Sequence, residues 1–167
     1  MTSRDIELYL LRYYNLRQYA LIPNVSWGFT NMGEADLLAI SVNHYVTEIE
    51  IKISVSDFRK DKDKYKWKMV GSNGFYSKRI KYFYYCMPIE IYEKVHTEIA
   101  DIAGVYVIER NRVRAARTAP VIPDHRKLTD DELLKLYRLC MFRYWGVREN
   151  EKTNDSNQRT YEGSTRS

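Results

Sequence analysis

The residues with the clearest chemical potential lie in "VTEIEIKIS", Val46 to Ser54, where acids and a lysine alternate with isoleucines. Successive side chains of a strand point to opposite faces, so Glu48, Glu50, Lys52 and Ser54 share one face while Ile49, Ile51 and Ile53 point to a core. Asp36, in "GEAD" at the head of another apolar run, is separated from Glu50 by thirteen residues. A hairpin between the two runs brings Asp36 and Glu50 together beside Lys52. Carboxylates that close repel and raise one another's pKa, so the cluster is unfavourable unless a cation compensates. Mg²⁺ takes one or two carboxylates and fills its octahedron with waters and phosphate oxygens. It polarises a phosphate and acidifies a bound water, while a neighbouring ammonium orients that water or neutralises developing charge. That is phosphodiester hydrolysis. The alternative is an edge strand whose charged face is solvated and paired across strands.

These residues need a sheet to position them. Thr2 or Ser3 can cap a helix whose stripe runs Ile6, Leu10, Tyr13, Leu16 and Ala20 and which ends before Pro23. "ADLLAI" and "VTEIEIKIS" read as strands joined through "SVNH", a connection short enough for an antiparallel hairpin. Ser56 or Asp57 opens a helix to about Trp67, and the glycine-containing stretch Val70 to Arg79 is a loop. "IKYFYYCM" is apolar on both faces, which places it centrally, with Pro88 ending it. A short helix to Ala100, the strand "GVYVIE" and a last strand "RVRAAR" follow. Thr129 and Glu132 stand at capping-box spacing before a terminal helix through Trp145. The order implies an α/β fold, a mixed sheet with helices on its faces, over residues 1–146. Residues 147–167 have almost nothing apolar to bury and are expected to be a disordered tail.

Composition bounds the function. With 167 residues and 44% hydrophobic content, the chain supports one domain. Its 27 Lys+Arg against 22 Asp+Glu favour a polyanionic partner. Two cysteines provide no disulfide framework, and both read as core thiols. The charged N-terminus is unlike a signal peptide and no apolar run reaches membrane-spanning length, so the expectation is a cytoplasmic protein without a membrane partner. His44, His96 and His125 have no zinc-ligand spacing with one another or with the cysteines.

Asp36 followed by Glu50-Ile51-Lys52 resembles the D…(D/E)xK signature of the PD-(D/E)xK nuclease superfamily, here with Ala35 in place of the usual proline. The continuation "ISVSDFRKDKDKYKW" and then "KYFYYCMP" is similar to the MmcB-like DNA-repair nuclease family, over about Asp5 to Leu139. The resemblance implies a restriction-endonuclease-like fold and a Mg²⁺- or Mn²⁺-dependent endonuclease acting on DNA in repair, processing or phage and mobile-element metabolism. It implies that Asp36 and Glu50 are metal ligands together with the backbone carbonyl of Ile51, that Lys52 is catalytic, and that an acid on the first helix stands near the metal, for which Glu7 is the candidate; the alternative for Glu7 is an exposed helix glutamate. Homodimers are common among such folds. Glu34 and Glu48 are either acids supporting the site or surface acids.

Arg59, Lys60, Lys62, Lys64, Lys66, Lys68, Lys78, Arg79 and Lys81 are opposed over the same stretch only by Asp57, Asp61 and Asp63. They follow the site directly, so Arg59, Lys60, Lys62, Lys64, Lys66, Lys78 and Arg79 are expected to contact DNA phosphates. The alternative is a solvated helix with acid–lysine pairs. Trp27, Tyr65 and Trp67 are the aromatics placed to stack on bases. RNA is an open alternative substrate, and a nuclease-derived module that binds DNA without cutting it is the rival function.

Overall fold

The computed structural model describes residues 1–26, 34–61 and 78–164, with side chains described at 1–26, 34–60 and 78–151. The chain divides into two compact units, Met1–Leu128 and Thr129–Ser167. The first contains α1 (Ser3–Tyr13), β1 (Tyr19–Val25), β2 (Ala35–Ser41), β3 (Val46–Ile51), α2 (Val55–Asp61), β4 (Ile80–Pro88), α3 (Ile89–Val95), β5 (Gly104–Glu109) and β6 (Arg112–Arg117). Its six strands form one sheet in the order β1-β2-β3-β4-β5-β6. The β3–β4 and β4–β5 pairs are parallel and the other three antiparallel. The fold is thus the expected α/β class, a mixed sheet flanked by helices.

Helix α1 starts at a reciprocal cap. The Thr2 hydroxyl accepts from Asp5 N at 3.2 Å and the Asp5 carboxylate accepts from Thr2 N at 2.7 Å. The Thr2 backbone bond holds the Asp5 carboxyl below the usual carboxylate range. The helix packs Ile6 and Leu10 onto one sheet face, against Leu37, Ile49, Ile51, Cys86 and Ile108. Burial there pushes the Cys86 thiol up, which suits a core residue rather than a reactive one. On the other face, Phe58 of α2 meets Tyr85 edge-on at 5.2 Å, and α3 packs on β4 and β5 with Ile91 and Val95 buried.

Helix α1 ends at Tyr13, and the residues expected to continue its stripe do not follow it. Leu16 is exposed, and Ala20 lies in β1, a strand that the helical spacing concealed. Asn15 turns the chain, its carbonyl accepting from Gln18 N and Tyr19 N and its side chain from Arg17 N. Pro23 therefore does not stop a helix; it sits in an edge strand, where a missing N–H is tolerated. The "SVNH" hairpin forms as expected, closed by Ser41 N to Tyr45 O at 2.9 Å. Arg110 and Asn111, both with positive φ, make the two-residue turn between β5 and β6.

Where β5 begins, the sheet admits only a glycine. A Cβ at Gly104 would lie 2.3 Å from a Tyr84 ring carbon and 2.6 Å from Ala119 N. Tyr84 cannot move aside, because it stacks on Tyr106 at 4.2 Å and its hydroxyl accepts from Ala119 N at 3.1 Å.

The second unit is helix α4 (Asp130–Ser164). Its cap is the expected box: Thr129 N donates to the Glu132 carboxylate at 2.9 Å and Glu132 N to the Thr129 hydroxyl at 3.3 Å. The helix does not stop near Trp145. It runs through Val147–Ser164, where composition predicts a disordered tail, and the chain divides after Leu128 rather than after Gly146. A polar stretch has no face to bury, yet Glu149, Glu151 and Lys152 are good helix formers, and Arg148 pairs with Glu151 at 3.3 Å one turn on. No helix among the described residues is long and apolar enough to cross a membrane.

Gly104→Ala is expected to destabilise the protein by about 1–3 kcal/mol through overpacking. A urea midpoint unchanged from wild type would show that Tyr84 can yield.

Candidate active site

The register of the β2–β3 hairpin decides where the acids meet. Leu37 pairs with Ile49 and Leu38 with Glu48, and one step further along the same register Asp36 faces Glu50. The Asp36 side chain reaches across the pair, its Oδ2 accepting from Ile51 N at 2.7 Å. The expected convergence of Asp36 and Glu50 is therefore realised, and the bond fixes the Asp36 carboxylate against the end of β3.

The charged face of β3 is not solvated. β3 lies between β2 and β4 rather than at an edge, and all six of its residues are buried. Glu48 is 3% exposed, Glu50 2% and Lys52 2%, which rules out surface positions for these charges and excludes the edge-strand alternative. Lys52 Nζ lies 3.2 Å from Glu50 Oε2 and 5.8 Å from the centre of the Tyr85 ring, while its backbone N donates to Cys86 O at 2.9 Å. Withdrawing two charges from water costs several kcal/mol per ion, and mutual attraction repays this only with good geometry. A strand selected for stability alone would carry apolar residues here, as the opposite face does.

Past Ile51 the chain leaves the sheet, so Ile53 does not join the core and is exposed. The cause is local. Ser54 caps α2 by accepting from Asp57 N at 3.0 Å, and the Asp57 carboxylate accepts from Ile53 N at 3.3 Å. The helix thus starts from Ser54, two residues before the expected position. The "SxxD" spacing was visible in the sequence and carries this capping arrangement, which turns the start of α2 toward Glu50 and Lys52. A cleft of ≈ 400 Å³ results, lined by Asp36, Glu50, Ile51, Lys52, Ser54 and Lys60 among others. Ser3, Ser56 and Asp57 also line it and were not expected there.

Two carboxylates and the backbone of Ile51 lining one cleft form an all-oxygen donor set. This fits a Mg²⁺- or Mn²⁺-sized ion that retains waters and substrate oxygens. Among the described residues no group of three His, Cys, Asp or Glu side chains able to hold a metal occurs.

The remaining expected residues scatter. Glu7 is half-buried on α1 and does not line the cleft; Ser3, one turn earlier on the same helix face, does. Of the basic residues expected at DNA, Lys60 lines the cleft. Arg59 instead bonds Glu98 at 2.9 Å, and the pair holds its guanidinium above the usual range. Lys78 and Arg79 precede β4, which runs parallel to β3, with Ile80 beside Val46 and Cys86 beside Ile51. They therefore stand at the opposite end of the sheet from Lys52. Lys62, Lys64 and Lys66, with Trp27, Tyr65 and Trp67, lie outside the described residues.

No family model and no curated protein matches the chain. A solved structure does: a protein of unknown function from Silicibacter pomeroyi is similar at a TM-score of 0.65 and 14% sequence identity, over 90% of this chain and 94% of that one. At that identity the likeness is one of fold, and it extends over almost the whole length of both chains.

Proposed function

We propose that the chain is a Mg²⁺- or Mn²⁺-dependent nuclease of restriction-endonuclease-like fold that hydrolyses internal phosphodiester bonds of DNA. One observation carries the reading. Glu50 and Lys52 are withdrawn from water at the end of a central strand, yet they line an open cleft together with Asp36. Buried polar groups that converge on a cleft mark a candidate working site. The superfamily signature that Asp36, Glu50 and Lys52 resemble supports the same assignment.

Asp36, Glu50 and the Ile51 carbonyl would hold the ion. The chemistry it supplies when bound is polarisation of a phosphodiester oxygen and acidification of a water. Lys52, already against Glu50, carries the ammonium that offsets negative charge developing on the phosphoryl group. Lys60 holds a flanking phosphate and sets the backbone's register. The packed walls of the strand and the Ser54 cap keep these groups from reorienting, so little reorganisation is needed at the moment of reaction.

A second reading, a DNA-binding module that does not cut, is favoured by one detail. Asp36 is already bonded to Ile51 N and Glu50 to Lys52, so the face is paired internally. The two readings separate on metal binding and cleavage.

Mn²⁺ is expected to raise the melting temperature of the wild type, since a ligand at a hundredfold excess over its Kd adds about 2.7 kcal/mol to the native state. Glu50→Gln should abolish the rise; a rise that persists in both Glu50→Gln and Asp36→Asn would place the ion elsewhere. Supercoiled DNA should be nicked by wild type in Mg²⁺ or Mn²⁺ and not in EDTA, with losses of about 10²–10³-fold in Asp36→Asn and Lys52→Met. Because Lys52→Met strands a buried carboxylate, a penalty of about 3–5 kcal/mol is expected in it, relieved in Glu50→Gln/Lys52→Met. Duplex binding without cleavage by the wild type would move the assignment to the binding module.

A further inference from the structure

The end of the sheet opposite the cleft carries a basic surface of its own. Residues 122–128 run beside the start of β4 and the β2–β3 turn, fixed by Ile122 N to Lys81 O at 2.9 Å, Arg126 N to Lys78 O at 2.7 Å and Leu128 N to His44 O at 3.0 Å. These bonds bring Lys78, Arg79, Lys81, Arg126 and Lys127 to one end of the sheet. Lys81 Nζ lies 4.1 Å and Lys127 Nζ 5.4 Å from the centre of the Tyr45 ring. The aromatic face thus holds two ammonium groups at one place, which an electron-rich ring favours and a bare apolar surface would not. Among residues 44–46, 78–82 and 122–128 the one acid is Asp124. Lys78, Lys81 and Lys127 make no ion pair with a carboxylate among the described residues.

We propose that this surface is a second contact for the phosphate backbone of duplex DNA, separate from the cleft and gripping the same duplex. The inference rests on the nucleic-acid part of the proposed function and not on hydrolysis. Lys78, Lys81 and Lys127, with two of their ammoniums held against one ring and no carboxylate partner among the described residues, match a repeating phosphate charge better than a single small anion. The spacing is also suitable. From Ile80 to Cys86 β4 advances roughly 20 Å at about 3.3 Å per residue, the rise of about six base pairs. The two surfaces are thus separated by less than one helical turn of duplex, and phosphates held at both would fix its direction across Lys52.

The test measures binding of a fluorescent duplex of about 30 base pairs in EDTA, as a function of salt, for wild type and for Lys78→Gln/Lys81→Gln/Lys127→Gln. Circular dichroism and melting temperature confirm that the variant is folded; if it is not, Lys78→Gln/Lys127→Gln replaces it. Affinity near 100 mM salt should fall about tenfold or more, and the slope of log K against log salt should lessen by about 2–3, since each phosphate contact contributes about 0.9. Equal affinity and equal slope overturn the proposal. So does unchanged duplex binding with lost binding to phosphatidylserine vesicles, which would assign the surface to a membrane. Failure here with metal-dependent cleavage intact leaves the nuclease reading standing, whereas a reduced slope without any cleavage leaves the second surface standing alone.

Discussion

A strand with neighbours on both sides and layers on both faces keeps nearly all of each side chain from water. β3 is such a strand, and the alternation that runs through it and on to Lys52 sends Ile49 and Ile51 one way and Glu48, Glu50 and Lys52 the other. The second set must then be satisfied inside the protein, because an unpaired charge in that position would cost more than the fold can tolerate. Most of the arrangement around the cleft answers that demand. Lys52 meets Glu50, Asp36 reaches over from β2 to the amide of Ile51, and the Tyr85 ring lies beside the ammonium. The apolar half of the same alternation anchors α1. Structure and site therefore have one origin, a period of two read on opposite faces.

The change from antiparallel to parallel pairing opens the cleft. β2 and β3 form a hairpin, but β4 must return to run beside β3 in the same direction, which leaves the ends of β3 and β4 adjacent and clear of any tight turn. In open α/β sheets ligands settle at such carboxyl ends, where connections splay apart. Here the splaying is enforced by Ser54, whose cap starts α2 three residues after the strand ends.

How much of this the sequence disclosed follows from the range of the signal. Hairpin pairing is local: Asp36 and Glu50 are joined by one short turn, so their meeting could be read from alternation and spacing. The caps at Thr2 and Thr129 are also local, each settled within four residues. β1 was hidden because Leu16 and Ala20 coincide with a helical period, and only the turn at Asn15 breaks it. Burial of Glu48, Glu50 and Lys52 depends on strands distant in sequence, so alternation could not separate an edge from a centre. Lys78 and Arg79 misled for a related reason. They follow the site in the chain, but a parallel crossover restores the starting end of the sheet, so proximity in sequence becomes separation in space.

The two edges of the sheet carry a consequence for assembly. β1 interrupts its backbone donors with Pro23, and β6 spells out "RVRAAR", its Arg112 and Arg114 exposed. Arg117, at the end of β6, is spent on the carbonyls of Ile99, Ala100 and Ala103, which straps the strand to the loop before β5. A free edge ordinarily templates further strands, and proline and charge are the usual means of blunting it. Growth of this sheet by recruiting a strand from another chain is thus discouraged on both flanks.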